Sequence, residues 1–377
     1  MTMEKKIKVL MVVFNLSVAN GVSSYVMNYF RNLNHNLIQM DFVIYNKQDT
    51  PYIKEIEETG GHVFLIPSIQ NIKNHLAESK RIIKEGNYDI VHDNILILSY
   101  FIMRYAKAYG VPVRILHSHS SKLSGSKIKA IRNRIFMPLL FKNTNYFIAC
   151  SRSAGEGMFR KKPFRIVPNV ISADKLSFSN STRMKLRNKF HVNNKFVMGS
   201  VGRLSIEKNP IYAFEIALKV KEIIPNFEYW WIGSGRLRQE AELFIKKHHA
   251  ENFIKLFGNR TDVSDLYQAM DLFFLPSHFE GLPVTGLEAQ AAGLPCLVSD
   301  TVSNEFVYTN QVFFFSLKNT VESVCGIIQQ IKADMGTKPR EEGKAELLSS
   351  PFSDEDSGQH LISIYRQFLS QKMNLYI

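Results

Sequence analysis

The chain has 377 residues, enough for two domains with separate cores, and its content of 45% hydrophobic and 21% charged residues excludes an intrinsically disordered protein. No apolar run reaches the roughly 20 residues that a membrane-spanning helix needs, and the N-terminus shows no signal-peptide cleavage pattern, so we expect a cytoplasmic protein. The three cysteines, Cys150, Cys296 and Cys325, are scattered and predict neither a disulfide framework nor a metal cluster.

The net charge of +13 is carried by the first half of the chain. Residues 1–170 hold 24 Lys and Arg against 11 Asp and Glu, whereas residues 171–377 hold 23 of each kind. No acidic residue lies between Asp93 and Glu156, although ten basic residues do. This distribution predicts a partner that is rich in phosphate, either nucleic acid or an anionic membrane surface.

Strand-like apolar segments alternate with helix patterns along two series. The strands predicted for the first series are residues 6–14, 40–45, 62–66, 90–92, 113–117 and 146–149. Those predicted for the second are residues 196–202, 229–232, 254–257, 272–275, 295–298 and 312–315. Regular alternation of this kind is typical of a doubly wound α/β sheet.

The two series predict a division into domains. We expect an N-terminal domain at 1–170 and a C-terminal domain at 196–358, joined by a polar linker at 171–195 that has no strand pattern of its own. Residues 334–359 read as a polar loop. Residues 359–377 close the chain with an amphipathic helix pattern.

The segment PSHFEGLPVTGLEAQAAGLPCLVSD, residues 276–300, joins a predicted strand to a predicted helix. In a parallel sheet this connection lies at the carboxyl edge, where ligands bind. Glu280 and Glu288 are eight positions apart, so both can face one crevice beside the helix N-terminus, whose N–H groups attract phosphate. Considered without the surrounding residues, the pair would more simply be two solvated charges.

The whole segment resembles the signature of retaining GT-B glycosyltransferases of family 4, in which seven residues separate two glutamates. The resemblance implies two Rossmann-like doubly wound domains facing a cleft, with the last helix packed back on the N-terminal domain. It also implies a nucleotide diphosphosugar donor, most simply a UDP-sugar, with Glu288 on the ribose hydroxyls and Glu280 on the transferred sugar. Backbone N–H groups from Leu282 to Gly286 would hold the diphosphate, which makes the donor-binding candidates Gly281, Leu282, Pro283, Val284, Thr285 and Gly286.

The segment GRLSIEKNP, residues 202–210, follows the first strand of the second domain. Two cations there would emerge at the carboxyl edge, where they can neutralise a leaving diphosphate. The segment matches the family's G-R-L-x-x-x-K-N element, which assigns Arg203 and Lys208 to a diphosphate clamp. Further donor-site candidates are a tight turn at Gly233 and the family's nucleobase position, here Gly258 and Arg260.

The first domain is expected to supply the acceptor side. Asn20 and Gly21 stand where the family usually has a Gly-Gly loop, so this chain departs from the pattern at position 20. His117 and His119 end a predicted strand, and the resemblance implies an active-site histidine there, of the kind found in exopolysaccharide and capsule enzymes. Either of the two histidines can fill that place.

Two further segments bear on cofactors and partners. Asp354-Glu355-Asp356 has the letters of a manganese-binding Asp-x-Asp, but it lies in a predicted loop away from any strand end, so we expect no metal and no other cofactor. Ser121 to Lys142 combines basic and apolar residues. It predicts either an ordinary surface helix or a helix that contacts an anionic membrane, and the acid-free background favours the membrane.

Together these features predict a retaining, metal-independent glycosyltransferase at the inner face of the membrane. It would move a sugar from a UDP-sugar to a lipid-linked or polysaccharide acceptor in cell-surface polysaccharide biosynthesis. One alternative is a sugar-nucleotide 2-epimerase on the same fold, which would need no acceptor, but the basic helix argues against it. Another is a nucleic-acid-binding protein, which the chain supports poorly because it lacks a groove-reading motif.

Overall fold

The structure is a computed structural model that describes residues 6–18, 21–120, 127–336 and 338–373, without the side chains of 127–132, 134 and 373. The chain divides into two compact units. Unit 1 comprises the residues up to Val170 together with those from Asp354 onward, and unit 2 is Ile171–Ser353.

Unit 1 contains a parallel sheet of seven strands among the described residues. The strands are β1 (Ile7–Val12), β2 (Ile38–Ile44), β3 (Val63–Leu65), β4 (Ile90–Asp93), β5 (Val113–Ser118), β6 (Tyr146–Ala149) and β7 (Arg165–Ile166). Their spatial order is β3-β2-β1-β4-β5-β6-β7, with parallel pairing throughout. The helices between them are α1 (Gly21–Arg31), α2 (Pro51–Glu58), α3 (Ile72–Gly86), α4 (Tyr100–Ala108), α5 (Lys127–Phe141) and α6 (Arg152–Phe159).

Unit 2, as far as it is described, repeats this plan with six parallel strands. They are β8 (Phe196–Val201), β9 (Phe227–Ile232), β10 (Ile254–Gly258), β11 (Leu272–Leu275), β12 (Cys296–Ser299) and β13 (Val312–Phe315), in the order β10-β9-β8-β11-β12-β13. Its helices are α7 (Ala173–Leu176), α8 (Asn180–Lys189), α9 (Pro210–Ile223), α10 (Arg238–Lys247), α11 (Val263–Ala269), α12 (Val284–Ala291), α13 (Val321–Ala333) and α14 (Glu342–Leu348).

The strand order of each sheet reverses beside its first strand, between β1 and β4 in unit 1 and between β8 and β11 in unit 2. Ligands of doubly wound sheets bind at the carboxyl ends of the strands beside such a reversal. The sheets therefore indicate where to look for a site in each unit.

The last helix, α15 (Ser357–Met373), belongs to unit 1. Its apolar side chains Leu361, Ile364 and Tyr365 are buried in the same core cluster as β1 and α1. The apolar face of this C-terminal helix therefore completes the core of the N-terminal sheet.

The predicted fold class, with two doubly wound α/β domains, is confirmed. The predicted linker at 171–195 is wrong, because α7 and α8 lie there and belong to unit 2. The predicted loop at 334–359 contains α14, and β7 was not predicted. No helix in the described part of the chain is both long and apolar enough to span a bilayer.

Candidate active site

The carboxyl ends of β8 and β11 carry two loops that are bonded to each other. The backbone N–H of His278 donates to the carbonyl oxygen of Glu207 at 2.8 Å. Lys208 Nζ donates to Glu280 Oε1 at 2.5 Å, and Ser277 Oγ donates to the same oxygen at 2.7 Å. The side chains of Lys208 and Glu280 are only 17% and 15% exposed, so this ion pair is much less screened than one on the surface. The structure thus brings together two of the predicted site residues.

Arg203 begins the first of these loops and is exposed. Among the described residues, none is hydrogen-bonded or ion-paired to its guanidinium group. The donors of Arg203 are therefore open to solvent or to a ligand, whereas Lys208 already shares its charge with Glu280.

Glu288 lies on α12, where Tyr267 Oη donates a hydrogen bond to its Oε2 at 3.0 Å. Burial raises the pKa of Glu288 to about 7, although the hydrogen bond from Tyr267 acts in the opposite direction. Thr285 Oγ1, one turn earlier, is buried and has no hydrogen-bond partner in the described structure. A buried hydroxyl without a partner is costly, which points to a ligand or a water that satisfies it.

The first turn of α12 differs from the prediction at one position. The N–H groups of Gly286 and Leu287 both donate to the carbonyl oxygen of Pro283, at 2.9 and 3.1 Å. The Gly286 amide is therefore already used within the turn, whereas the prediction has it among the N–H groups offered to a diphosphate. A side chain at Gly286 would also meet the ring of Phe306, at 2.8 Å from the added Cβ.

The amides of Val284 and Thr285 find no acceptor within the described ranges, as the first amides of a helix usually do not. They remain candidates for binding an anion. Gly281, Leu282 and Pro283 are buried and lead the chain from Glu280 into the helix.

The other donor-site candidates lie at the same edge of the sheet but are engaged with protein groups. Gly233 donates its N–H to the carbonyl oxygen of Gly258 at 2.7 Å. It has a φ of +130°, and an added Cβ would lie 2.1 Å from the carbonyl oxygen of Gly202, so its glycine is explained by close packing of backbones. Arg260 is paired with Asp262 at 2.6 Å.

Unit 1 contains three stacked histidines at the carboxyl ends of β4 and β5. The ring centroids of His92 and His117 are 5.2 Å apart, and those of His117 and His119 are 4.2 Å apart, with interplanar angles of 16° and 20°. His92 Nε2 is hydrogen-bonded to His117 Nδ1 at 3.0 Å, and His92 Nδ1 to Tyr365 Oη at 2.7 Å. His92 is not among the predicted site residues, although it too stands at the end of a strand.

The stack separates the roles of the two predicted histidines. His117 is completely buried, whereas His119 is partly exposed and its Nε2 is hydrogen-bonded to Asn94 Oδ1 at 2.8 Å. Burial lowers the pKa of His92 and of His119 to about 3, and it lowers that of His117 well below the ordinary value. All three rings are therefore neutral near pH 7. Of the two predicted histidines, His119 is the one that is partly exposed, whereas the buried Nε2 of His117 has no hydrogen-bond partner among the described residues.

The remaining predicted positions contribute no further contacts to the candidate site among the described residues. Asn20 lies outside the described residues, and Gly21 begins α1, where an added Cβ would meet nothing within 4 Å. Asp354 and Asp356 lie between α14 and α15. No group of three or more His, Cys, Asp or Glu side chains is arranged to hold a metal ion within the described ranges.

The fold and this site define a class of enzyme. Each unit is built on a parallel, doubly wound sheet. Unit 2 adds the Lys208–Glu280 pair and a second glutamate, Glu288, on the following helix. These features are those of a GT-B glycosyltransferase. The model for "Glycosyltransferase Family 4" matches residues 19–175, and that for "Glycosyl transferases group 1" matches residues 182–341. The chain belongs to glycosyltransferase family 4.

Its relatives include a putative glycosyltransferase, EpsF, from Bacillus subtilis, which is 28% identical over 76% of this chain and 77% of that protein. The UDP-Gal:alpha-D-GlcNAc-diphosphoundecaprenol alpha-1,3-galactosyltransferase of Escherichia coli is 26% identical over 78% of this chain and 81% of its own length. Among solved structures, HepE from Anabaena in complex with UDP and glucose has a TM-score of 0.77 at 17% identity, covering 96% of this chain and 100% of that one. The chain is thus a glycosyltransferase.

Proposed function

We propose that the enzyme is a retaining glycosyltransferase that moves a sugar from a UDP-sugar to a lipid-linked or polymeric saccharide in cell-surface polysaccharide assembly. The observation that carries the proposal is the Lys208–Glu280 pair beside exposed Arg203, on two bonded loops at the carboxyl edge of the unit 2 sheet. The Escherichia coli relative is named for a UDP-galactose donor and a diphosphoundecaprenol-linked acceptor, which supports the donor and acceptor classes.

In the proposed mechanism, Arg203 and Lys208 bind the donor diphosphate. The amides of Val284 and Thr285 and the buried Thr285 hydroxyl add hydrogen bonds to its oxygens. Glu288 accepts hydrogen bonds from the ribose hydroxyls. Positive charge offered to the diphosphate lowers the barrier to breaking the bond between it and the sugar, because negative charge develops on the departing oxygen.

The retaining step is proposed as a displacement on one face of the sugar. The bond from the anomeric carbon to the phosphate oxygen breaks, and a bond from that carbon to the acceptor oxygen forms on the same face. The acceptor hydroxyl gives its proton to the departing phosphate oxygen. Glu280 stabilises the positive charge that develops at the anomeric centre, and Lys208 and Ser277 hold its carboxylate in place.

An amphipathic surface supports the proposal of a membrane-associated acceptor. On α5, Met137 and Leu140 are buried, whereas Ile135, Phe136 and Leu139 on the opposite face are 65%, 46% and 41% exposed. The helix lies within the stretch without acids between Asp93 and Glu156. Exposed apolar side chains in a basic region are suited to the surface of an anionic bilayer, and we propose that α5 holds the enzyme at the inner face of the membrane.

A thermal-shift panel of UDP-, GDP- and ADP-sugars tests the donor assignment. A ligand at about 100 times its Kd stabilises the folded state by about 2.7 kcal/mol, so the true donor class raises the melting temperature. We expect a UDP-sugar to do so in the wild type and Lys208→Ala to lose about tenfold in affinity. Incubation of that donor with saccharide acceptors should then release UDP, while an epimer formed from the donor alone would support an epimerase instead.

Lys219→Ala is the matched control. It also breaks a Lys–Glu pair, between Lys219 and Glu222 at 2.7 Å, but on the exposed face of α9. Its donor-induced shift should equal that of the wild type. If the donor raises the melting temperature of Lys208→Ala and of Lys219→Ala by the same amount, Lys208 does not contribute to donor binding.

We further propose that turnover needs no metal, because Arg203 and Lys208 supply the positive charge. Activity should persist in EDTA. Loss of activity in EDTA, restored by manganese, would contradict this part of the proposal.

A further inference from the structure

Asn94 follows β4 and is 6% exposed, with a side-chain amide whose orientation is set by its neighbours. Its Nδ2 donates to the carbonyl oxygen of Val12 at 3.2 Å and lies 2.9 Å from Met11 Sδ and 3.4 Å from the carbonyl oxygen of His92. Turning the amide over would place its oxygen against two carbonyl oxygens. The amide nitrogen therefore faces these acceptors, and Oδ1 faces His119.

This orientation decides which nitrogen of His119 carries the proton. Asn94 Oδ1 can only accept, so His119 Nε2, 2.8 Å away, must be the donor. In the neutral ring, Nδ1 then bears a lone pair. No described residue is hydrogen-bonded to Nδ1, and the side chain of His119 is partly exposed.

Two aromatic rings restrain the imidazole plane. His117 stacks on His119 at 4.2 Å, and the ring of Tyr25 lies 4.8 Å from it at 59°. These contacts leave two orientations related by a half-turn of the ring, and the half-turn would put a carbon where Nε2 meets Asn94. Stacking thus fixes the plane, and the hydrogen bond from His119 to Asn94 selects the edge.

We propose that Asn94 is a positioning residue that fixes His119 as the Nε2–H tautomer, so that Nδ1 accepts a hydrogen bond from a hydroxyl group of the saccharide substrate. The assignment of that hydroxyl group to a saccharide rests on the proposed transferase function. The tautomer rests only on the contacts of Asn94.

The charged and titratable groups around His119 agree with a neutral ring. Among the described side chains they are Tyr25 from α1, His117 from β5 and His92 from β4, all buried. The neighbouring carboxylate, Asp93, accepts a hydrogen bond from Ser99 Oγ at 2.5 Å and one from the N–H of Ile95. Within the described ranges, the contacts of His119 therefore include no carboxylate that would favour its protonated form.

Nuclear magnetic resonance of the full-length enzyme, labelled with 15N in histidine, tests the tautomer directly. Signals of His119 are those missing from the spectrum of His119→Asn. Near pH 7 we expect a protonated Nε2 and an unprotonated Nδ1, and we expect Asn94→Ala to shift both signals toward a mixture of tautomers. A wild type with its proton on Nδ1, or His119 signals unchanged by Asn94→Ala, would overturn the inference.

Asn145→Ala is the matched control, because Asn145 holds β5 at its other end through Arg114 N–H at 2.7 Å and the carbonyl oxygen of Pro112 at 2.8 Å. It removes a comparable amide without touching the histidines. The signals of His119 should not change, whatever the loss of stability.

Asn94→Asp keeps the shape and covers the case in which Asn94→Ala fails to fold. Its carboxylate still accepts from Nε2 but raises the pKa of His119 by favouring a second proton, which would sit on Nδ1 and block the lone pair. We expect UDP release by the variant, relative to the wild type at the same pH, to fall by up to about tenfold from pH 8 to pH 5. A ratio that does not change with pH would contradict a role for the Nδ1 lone pair in the reaction. If no donor is turned over at all, the proposed function fails and the resonance experiment still decides the tautomer.

Discussion

Burial of Glu288 in the candidate donor site makes stability and ligand binding depend on pH through its carboxyl group. Burial raises the pKa of its carboxyl from 4.5 to about 7. Between these two pH values the carboxyl is mostly protonated in the folded state and mostly ionised in the unfolded chain. The contribution of Glu288 to stability therefore falls as pH rises from 4.5 to 7. A ribose diol needs the carboxylate as acceptor, so we predict that affinity for UDP rises as pH rises through about 7, as measured by calorimetry.

Variants separate this effect from titration of UDP itself. Glu288→Gln cannot titrate and should bind UDP more weakly, with a flatter dependence on pH. Tyr267→Phe removes the hydrogen bond that stabilises the carboxylate and should move the midpoint to higher pH. Tyr308→Phe is the control, because that hydroxyl donates to the carbonyl oxygen of Leu287 on the same helix. A midpoint that is the same in Tyr267→Phe and Tyr308→Phe would show that Tyr267 does not tune Glu288.

Single residues of the site were predictable to different degrees. Glu280, Glu288 and Lys208 stand in a dense pattern at predicted strand ends, and the structure brings Lys208 and Glu280 together. Tyr267 lies on α11 and gives no sign in the sequence that its hydroxyl reaches Glu288, because that contact depends on how α11 and α12 pack. His92 and Asn94 were predictable from the sequence, because they are polar residues at the end of β4, just as His117 and His119 are at the end of β5.

At the scale of elements, α5 leads to a prediction about membranes. Replacing exposed Ile135, Phe136 and Leu139 with Ser should reduce binding to vesicles of phosphatidylglycerol by about tenfold or more, because each apolar side chain contributes about 1.5 to 3 kcal/mol when fully buried. Cosedimentation with anionic and with neutral vesicles measures the loss. Raised salt should weaken binding of the wild type, because the basic residues contribute through charge.

The control for this experiment lies in unit 2, where Leu243 and Met184 are 62% and 59% exposed. Their replacement with Ser removes similar apolar surface outside the acid-free stretch and should leave vesicle binding unchanged. If both sets of changes weaken binding equally, the attraction is a general property of the surface and α5 is not the contact.

Strands of the two sheets were predicted more accurately than the segments around them. Long apolar runs such as those of β8 and β9 are recognisable as strands in the sequence. The strand β7 is not, because it has only two residues and lies at the edge of its sheet. In α8 the buried residues are Leu186 and Arg187, and Arg187 is bonded to Asp271 Oδ2 at 3.0 Å and to the carbonyl oxygen of Ala269 at 2.8 Å. A helix anchored by a buried arginine looks polar in sequence, so the composition of 171–195 predicts a linker where the structure has helices.

For the whole molecule, the division into two units predicts two separable responses to damage. Ile364 on α15 and Ile328 on α13 are 2% and 0% exposed, and each lies in a different core cluster. Replacing either with Ala should cost about 2 to 5 kcal/mol through lost burial and the cavity left behind. The Ile364→Ala change should therefore speed hydrogen exchange in β1, and Ile328→Ala should speed it in β8.

The two variants serve as controls for each other, since both shorten a buried isoleucine on a helix. Because α15 completes the core that β1 and α1 share, damage at position 364 should open strands more than 300 residues away in sequence while the sheet of unit 2 stays protected. UDP should slow exchange in β8 of Ile364→Ala as much as in the wild type, since the proposed donor contacts lie in unit 2. If each substitution speeds exchange in both sheets to the same extent, the chain unfolds as one cooperative body, and the C-terminal helix is not a specific part of the N-terminal core.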